Sequence, residues 1–333
     1  MALNVILLAV SLLIILAGAE TFTNSVEWLG KKLNLGDAAV GSVFAAVGTA
    51  LPETIIPIIA ILSHGRGSEG HDVGIGAILG APFMLATIAM FVTGVAAFVK
   101  RKSNAPMNII PDVMKRDMRF FLLVYTVAIL ASFLPSRPLR IIVVVFLVFA
   151  YFFYVYKTIK SSMGRHDEEG ESLRPLYFMR KNDNPSLVIV IIQLAAALGI
   201  IIAGATVFVG AVQVIAAFLG VPVLILSLII TPIATELPEK FNSVIWVSRG
   251  KDTLALGNIT GAMVFQSSLI PAIGILLTAW VLEPLALLSA GLALGAVVYQ
   301  YTGVMGKHKL TPVHLIVSGL FYLVFIIAVV ATG

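Results

Sequence analysis

The fold class this sequence predicts is an all-α polytopic membrane protein, with ten transmembrane helices as two inverted five-helix repeats. Three observations lead there: an apolar composition, ten apolar runs of membrane-spanning length, and one short motif that occurs twice. The 333 residues are 59% hydrophobic and only 12% charged, with a mean hydropathy of +1.03. A soluble domain carries about a quarter charged residues, so an oily soluble enzyme would lack the polar surface it needs. The formal net charge of +5 does not indicate nucleic acid, because basic residues in a membrane protein mark cytoplasmic loops. Cysteine is absent, which removes disulfides, thiol catalysis and Cys-based metal sites. The five histidines (His64, His71, His166, His308 and His314) fall in or near predicted loops, without HExxH spacing. They offer neither a nucleophile–base pair nor a metal with an open position, so neither an enzyme nor a resident cofactor is expected.

The helices follow in chain order. The opening "MALNVILLAVSLLIILAGAE" lacks the positively charged start of a signal peptide and is read as a first transmembrane helix. A helix needs roughly 20 apolar residues to cross the hydrocarbon core. On that measure the first half has runs at about 2–28, 37–63, 72–99, 117–134 and 137–157. The second half has 186–218, 221–248, 252–279, 281–303 and 311–332. The stretch 141–155 is rich in Val, Ile and Phe, but a lone strand in lipid could not satisfy its backbone bonds, so it is read as helix.

The longest polar stretch, 158–185, separates a first five-helix repeat (1–157) from a second (186–333). Its acidic run from Asp167 to Glu171 reads as a solvated loop, and the linker is too short for a folded regulatory domain. Eighteen of the 22 Lys and Arg fall in the loops after helices 1, 3, 5, 7 and 9, and the opposite loops hold only Arg66, Arg137 and Arg140. That asymmetry places the linker in the cytoplasm and both termini outside. The remaining base, Lys240, lies inside helix seven and is read as snorkelling to the cytoplasmic surface.

The motif explains why helix seven keeps charges and prolines. "GTALPE" at 48–53 returns as "ATELPE" at 234–239. A glycine pair follows each copy, "GAILG" at 76–80 and "GNITG" at 257–261. Order and spacing agree between the copies apart from a small difference in loop length. Five helices separate the copies, an odd number, so the second crosses in the opposite sense. Inverted repeats of this kind mark secondary transporters, with the ion site near mid-membrane at the repeat interface. Thr49 and Glu53, like Thr235 and Glu239, stand four apart and share a helix face. Pro52 and Pro238 lack an N–H and release the carbonyls of Gly48 and Ala234. The local break is expected to add backbone oxygens to the carboxylates and hydroxyls, the oxygen-rich set that Ca²⁺ takes six to eight of at about 2.3–2.6 Å. Intramembrane carboxylates are costly and mark ion or proton pathways. The glycine pairs are expected to let the next helix approach closely.

These residues resemble the alpha repeats of the sodium/calcium exchanger family, within the wider cation/calcium antiporter superfamily. The specific part of the resemblance is the motif helix and the helix after it in each half, on a pattern close to "GTSLPE" followed by "GSNIFN" or "GSNIFD". It implies Na⁺/Ca²⁺ exchange by alternating access of a midplane site. Glu53 and Glu239 would be the central Ca²⁺ ligands shared with Na⁺, completed by Thr49, Thr235 and the carbonyls of Ala46 and Pro232. The chain departs from the pattern at Ala50 and Glu236 in the motif, at Ala81 and Leu85 in helix three, and at Ala262 and Gln266 in helix eight. Glu236 is read as restoring the charge missing at Gln266. The loss of polar ligands also keeps open a proton-coupled Ca²⁺ or other divalent cation antiporter. A cation channel fits less well, since a pore often lies on a symmetric oligomer axis. The expected partners are the bilayer and the transported ions, with no obligatory protein partner.

Overall fold

The computed structural model describes residues 2–32, 51–63, 68–162, 174–180, 184–248, 250–305 and 310–332, and every regular element among them is a helix. In the first half these are α1 (Ala2–Lys32), α2 (Leu51–Ser63), α3, α4 (Pro111–Leu130) and α5 (Arg137–Ser162). We take α3 as one rod made of Ser68–Met84, a π-helical turn at Leu85–Ala89, and Met90–Arg101. The second half has α6 (Leu187–Leu219), α7 (Val223–Ser248), α8 (Asp252–Leu277), α9 (Pro284–Met305) and α10 (Pro312–Thr332). Proline opens α4, α9 and α10, where its missing N–H costs nothing. Ser186 caps α6 by accepting from Ile189 N, and Gly220 ends it in the left-handed conformation at φ 64°, as glycine does at a helix C-terminus.

Among the described residues, seven helices are long and apolar enough to cross a membrane. The expected set of ten includes three that fall short of that measure. The description of α2 begins only at Leu51, and the apolar part of α7 is Val223–Pro232, ahead of the charged motif. For α4, the helix starts at Pro111 rather than at the expected 117, and so takes in Asp112, Lys115 and Arg116 ahead of Asp117 and Arg119. Those charges stay helical because they find partners: Arg116 pairs with Asp117, and Arg119 Nε donates to the Tyr301 hydroxyl.

Burial sorts the helices into layers. The apolar windows of α3 and α8 are 83% and 72% buried, against 18% for α1 and 17% for α10. The central pair is therefore α3 and α8, while the outer helices turn apolar side chains such as Leu13, Phe152 and Leu323 outward, as a lipid-facing surface requires. One large core joins α3, α4, α5, α7, α8, α9 and α10, and a second forms around Ile15, Ile56, Ile201 and Phe208 of α1, α2 and α6. The α3 rod packs on α7, α9 and α10, and α8 packs on α4, α5 and α7.

The first glycine pair does permit a close approach, but to α7 of the other half rather than to the next helix. The second pair does not: among the described residues nothing lies within 4 Å of a Cβ on Gly257, and only the Tyr154 hydroxyl, at 3.7 Å, nears one on Gly261. A Cβ on Gly80 would lie 2.4 Å from the Leu228 carbonyl oxygen and 2.6 Å from Pro232 Cγ, and one on Gly76 would lie 2.7 Å from the Leu224 oxygen. Backbone-to-backbone contact of this kind needs residues without side chains.

Contacts between loops gather the basic ends together. Arg101 forms an ion pair with Asp252, the Asn108 N–H donates to the same carboxylate at 2.6 Å, and Met107 N donates to Leu310 O at 2.8 Å. Arg116 donates to the Ser161 hydroxyl at 2.7 Å. The loops after α3, α7 and α9 and the end of α5 thus share one end of the bundle. Arg140 bonds the carbonyls of Leu134 and Ala279 at the other. Part of the linker, beyond its acidic run, is docked on α1 and α6. The Asn24 amide and the Trp28 indole donate to Arg174 O, Phe178 N donates to Gln193 Oε1 at 2.8 Å, and Leu176 is buried. The acidic run 167–171 lies outside the described residues.

Candidate cation site

Three of the side chains named as ligands from the sequence lie in the interior. Glu53 on α2 is 4% exposed, Glu236 on α7 is 0% exposed, and Gln266 on α8 is 1% exposed. Ionised carboxylates lose several kcal/mol of hydration when buried, so their retention here calls for a partner of opposite charge or a proton. The structure joins two of the three directly: Gln266 Nε2 donates to Glu236 Oε1. Gln266 Oε1 has no hydrogen-bond partner among the described residues. Pro232 is buried two residues before the motif, and Ser227 and Thr231 are buried on the same helix.

Of the other residues named from the sequence, Thr49 and Ala46 lie outside the described residues, as do the side chains of Thr235, Glu239 and Lys240. Among the described residues, no group of three or more His, Cys, Asp or Glu gathers into a metal centre. The expected local break in α7 takes a milder form. The helix runs without interruption from Val223 to Ser248 through Pro232 and Pro238, so the prolines withhold N–H donors without unwinding the chain.

The wall supplied by α3 differs from that supplied by α8. Ala81 and Leu85 are buried and apolar, and Leu85 opens the π-helical turn, an irregularity frequent at functional positions. That turn is held by Gln300 of α9, whose Nε2 donates to Ala86 O at 2.8 Å and to the Ser318 hydroxyl at 2.9 Å. On α8, by contrast, Ser267 and Ser268 follow Gln266, and both bond back to Val264 O.

Sequence reasoning missed three buried polar residues in the spans. Asp117 on α4 is 2% exposed; its Oδ2 accepts from Thr260 Oγ1 of α8 at 2.8 Å, and its Oδ1 accepts from Arg116 at 3.0–3.1 Å. Gln193 ties α6 to Asn24 and Ser25 of α1 at 3.0 and 2.8 Å. Gln300 holds the π turn as described. For Gln193 and Gln300 the available signal was a lone polar residue within an apolar run, which intramembrane cost marks as purposeful, whereas Asp117 is masked by the charges of Lys115, Arg116 and Arg119 around it.

The family described as Sodium/calcium exchanger protein matches residues 3–160 and 189–331, which takes in both copies of the motif. Inner membrane protein YrbG of Escherichia coli (strain K12) is 26% identical over 286 residues, covering 86% of this chain and 83% of its own length. The H⁺/Ca²⁺ exchanger CAX has a similar structure, with a TM-score of 0.75 at 17% identity, covering 98% of this chain and 82% of that one. The sodium-calcium exchanger NCX_Mj gives a TM-score of 0.59 at 21% identity, covering 98% of each chain. The two structural likenesses show a shared fold, and the match across both halves settles the membership: the chain belongs to the sodium/calcium exchanger protein family.

Proposed function

We propose that this protein is a secondary-active antiporter that exchanges Ca²⁺ for Na⁺ by alternating exposure of one midplane site. The carrying observation is that carboxylates buried in both motif copies, Glu53 on α2 and Glu236 on α7, belong to a chain matched to the family over both halves. Glu53 and Glu239 are the central ligands in this reading. Glu236, Gln266, Thr49, Thr235 and the carbonyls of Ala46 and Pro232 complete an oxygen set suited to a hard cation. The transported ions are the substrates, and no resident cofactor or enzymatic step is invoked.

The same reading takes the architecture as ten membrane helices in two inverted repeats, 1–157 and 186–333, joined by a cytoplasmic linker, with both termini extracytoplasmic. A five-helix shift supports it. The packing of α3 on α9 and α10 corresponds to that of α8 on α4 and α5. Of the two solved relatives, one is an H⁺/Ca²⁺ exchanger and the other a sodium-calcium exchanger.

A second reading, Ca²⁺/H⁺ exchange, is favoured by the apolar pair Ala81 and Leu85 in α3, which leaves fewer oxygens for Na⁺. The test is ⁴⁵Ca²⁺ uptake into proteoliposomes under an imposed Na⁺ gradient, a pH gradient, or neither. Saturable uptake driven by the Na⁺ gradient is the expected result. Uptake driven by the pH gradient alone moves the coupling to protons, and non-saturating flux that ignores both gradients points to a channel.

A further inference from the structure

Two of the matched positions at which the halves differ concern the candidate site. With the motif copies aligned, Glu236 occupies the place of Ala50, and with the glycine pairs aligned, Gln266 occupies that of Leu85. The first copy is apolar at both places and the second is polar at both. The polar pair meets in space: Gln266 Nε2 donates to Glu236 Oε1, with both side chains sealed from solvent. The amide donor itself carries no net charge.

A second observation concerns the other end of the amide. Gln266 Oε1 is buried with no hydrogen-bond partner among the described residues, and such groups are few in folded proteins. An amide oxygen beside a carboxylate, away from water, is a donor set for a hard divalent cation. The α3 wall offers no equivalent, because Leu85 is apolar and the Ala86 carbonyl beside it is taken by Gln300.

We propose that Glu236 and Gln266 form a specificity-determining pair, present only in the second half, that makes the site prefer a divalent over a monovalent cation. Glu236 adds a third carboxylate to Glu53 and Glu239. Gln266 holds that carboxylate against α8 and contributes its own oxygen. Coulomb attraction scales with the product of charges, so a third carboxylate favours a divalent cation twice as strongly as a monovalent one at the same distance. This inference rests on the reading of Glu53 and Glu239 as the ion site.

The test is equilibrium binding of ⁴⁵Ca²⁺ to the purified full-length chain, with Na⁺ as competitor, alongside flux in proteoliposomes. Glu236→Gln keeps the shape and hydrogen-bonding capacity of the side chain, so a merely structural pair would tolerate it. The expected result is a loss of about tenfold or more in Ca²⁺ affinity, the scale of lost metal-site orientation and charge, with Na⁺ competition changed less. Gln266→Leu, which copies the first half, should weaken Ca²⁺ by about tenfold on the same grounds. The double variant Glu236→Ala/Gln266→Leu should lose less than the sum of the two single losses, since the holding role of the amide disappears with the carboxylate while its ligand oxygen is still lost. The proposal is overturned by wild-type Ca²⁺ affinity in Glu236→Gln, by equal loss of Ca²⁺ and Na⁺ binding, by additive losses in the double variant, or by a wild-type chain that binds no Ca²⁺. Failure of the antiport reading looks different: Ca²⁺ binding responds to the pair as expected while flux ignores every counter-ion gradient.

Discussion

Asp117 shows what a single residue contributes and why it escaped notice. In "KRDMR" at 115–119 it reads as the charged edge of a loop. Its partner, Thr260, lies 143 residues away, beyond the reach of any local pattern. In the structure it is a buried carboxylate joining α4 to α8, with Arg116 beside it only 16% exposed. Removing one member of a buried ion pair leaves the other charge uncompensated, at a cost of about 3 kcal/mol. Asp117→Ala is therefore expected to lower the thermal melting temperature of the purified protein clearly, with Asp117→Asn falling between it and wild type because the amide still accepts from Thr260. A melting temperature for Asp117→Ala equal to wild type would contradict the network. Glu53 and Glu236 were legible for the opposite reason. Each sits in a short motif whose second copy calls attention to it, and the pairing of Glu236 with Gln266 followed from helix spacing plus a family pattern.

At the scale of elements, the sequence foretold which residues would be helical better than it foretold where helices meet. Apolar runs locate α5 to α10 within a few residues, because burial and lipid exposure both demand apolar side chains. The α4 start was placed late, since hydropathy registers charge and not the partner that satisfies it. The glycine pair at 76–80 correctly announced a close approach, yet only the folded chain shows that α7 is the helix approached. The π turn in α3 left no sequence signal that we recognise. With a Cβ on Gly80 only 2.4 Å from the Leu228 backbone oxygen, the neighbour cannot yield by rotating a side chain. Gly80→Val is expected to destabilise the chain by about 1–3 kcal/mol, the range for overpacking, and to abolish exchange. Near wild-type melting and flux in that variant would show the α3–α7 seam to be loose. The docked segment 174–180 makes a second prediction for elements. Trp28→Phe deletes the indole bond to Arg174 O and, with Asn24→Ala, should speed proteolysis of the linker in membranes. An unchanged cleavage rate would argue against docking.

For the whole molecule, the proposed topology rests on the charge asymmetry and on the odd number of helices between motif copies. Loop contacts agree with the grouping, since residues assigned to one side bond one another: Arg101 with Asp252, Met107 with Leu310, and Arg116 with Ser161. Which side faces the cytoplasm is testable because the chain has no cysteine. Ser161→Cys at the end of α5 and Glu283→Cys before α9, both exposed, should react with an impermeant thiol reagent from opposite sides of oriented vesicles. Reaction of both from one side would undo the inverted arrangement.

The central claim is that one cation site takes a carboxylate from each half. Its most direct test is saturable ⁴⁵Ca²⁺ exchange in proteoliposomes carrying Glu53→Gln or Glu239→Gln, each checked for wild-type folding by its elution profile. The account predicts that either change alone nearly abolishes exchange, because each removes a charge and an oxygen ligand that the other half cannot supply. Near wild-type exchange in either well-folded variant would contradict it and place the site elsewhere.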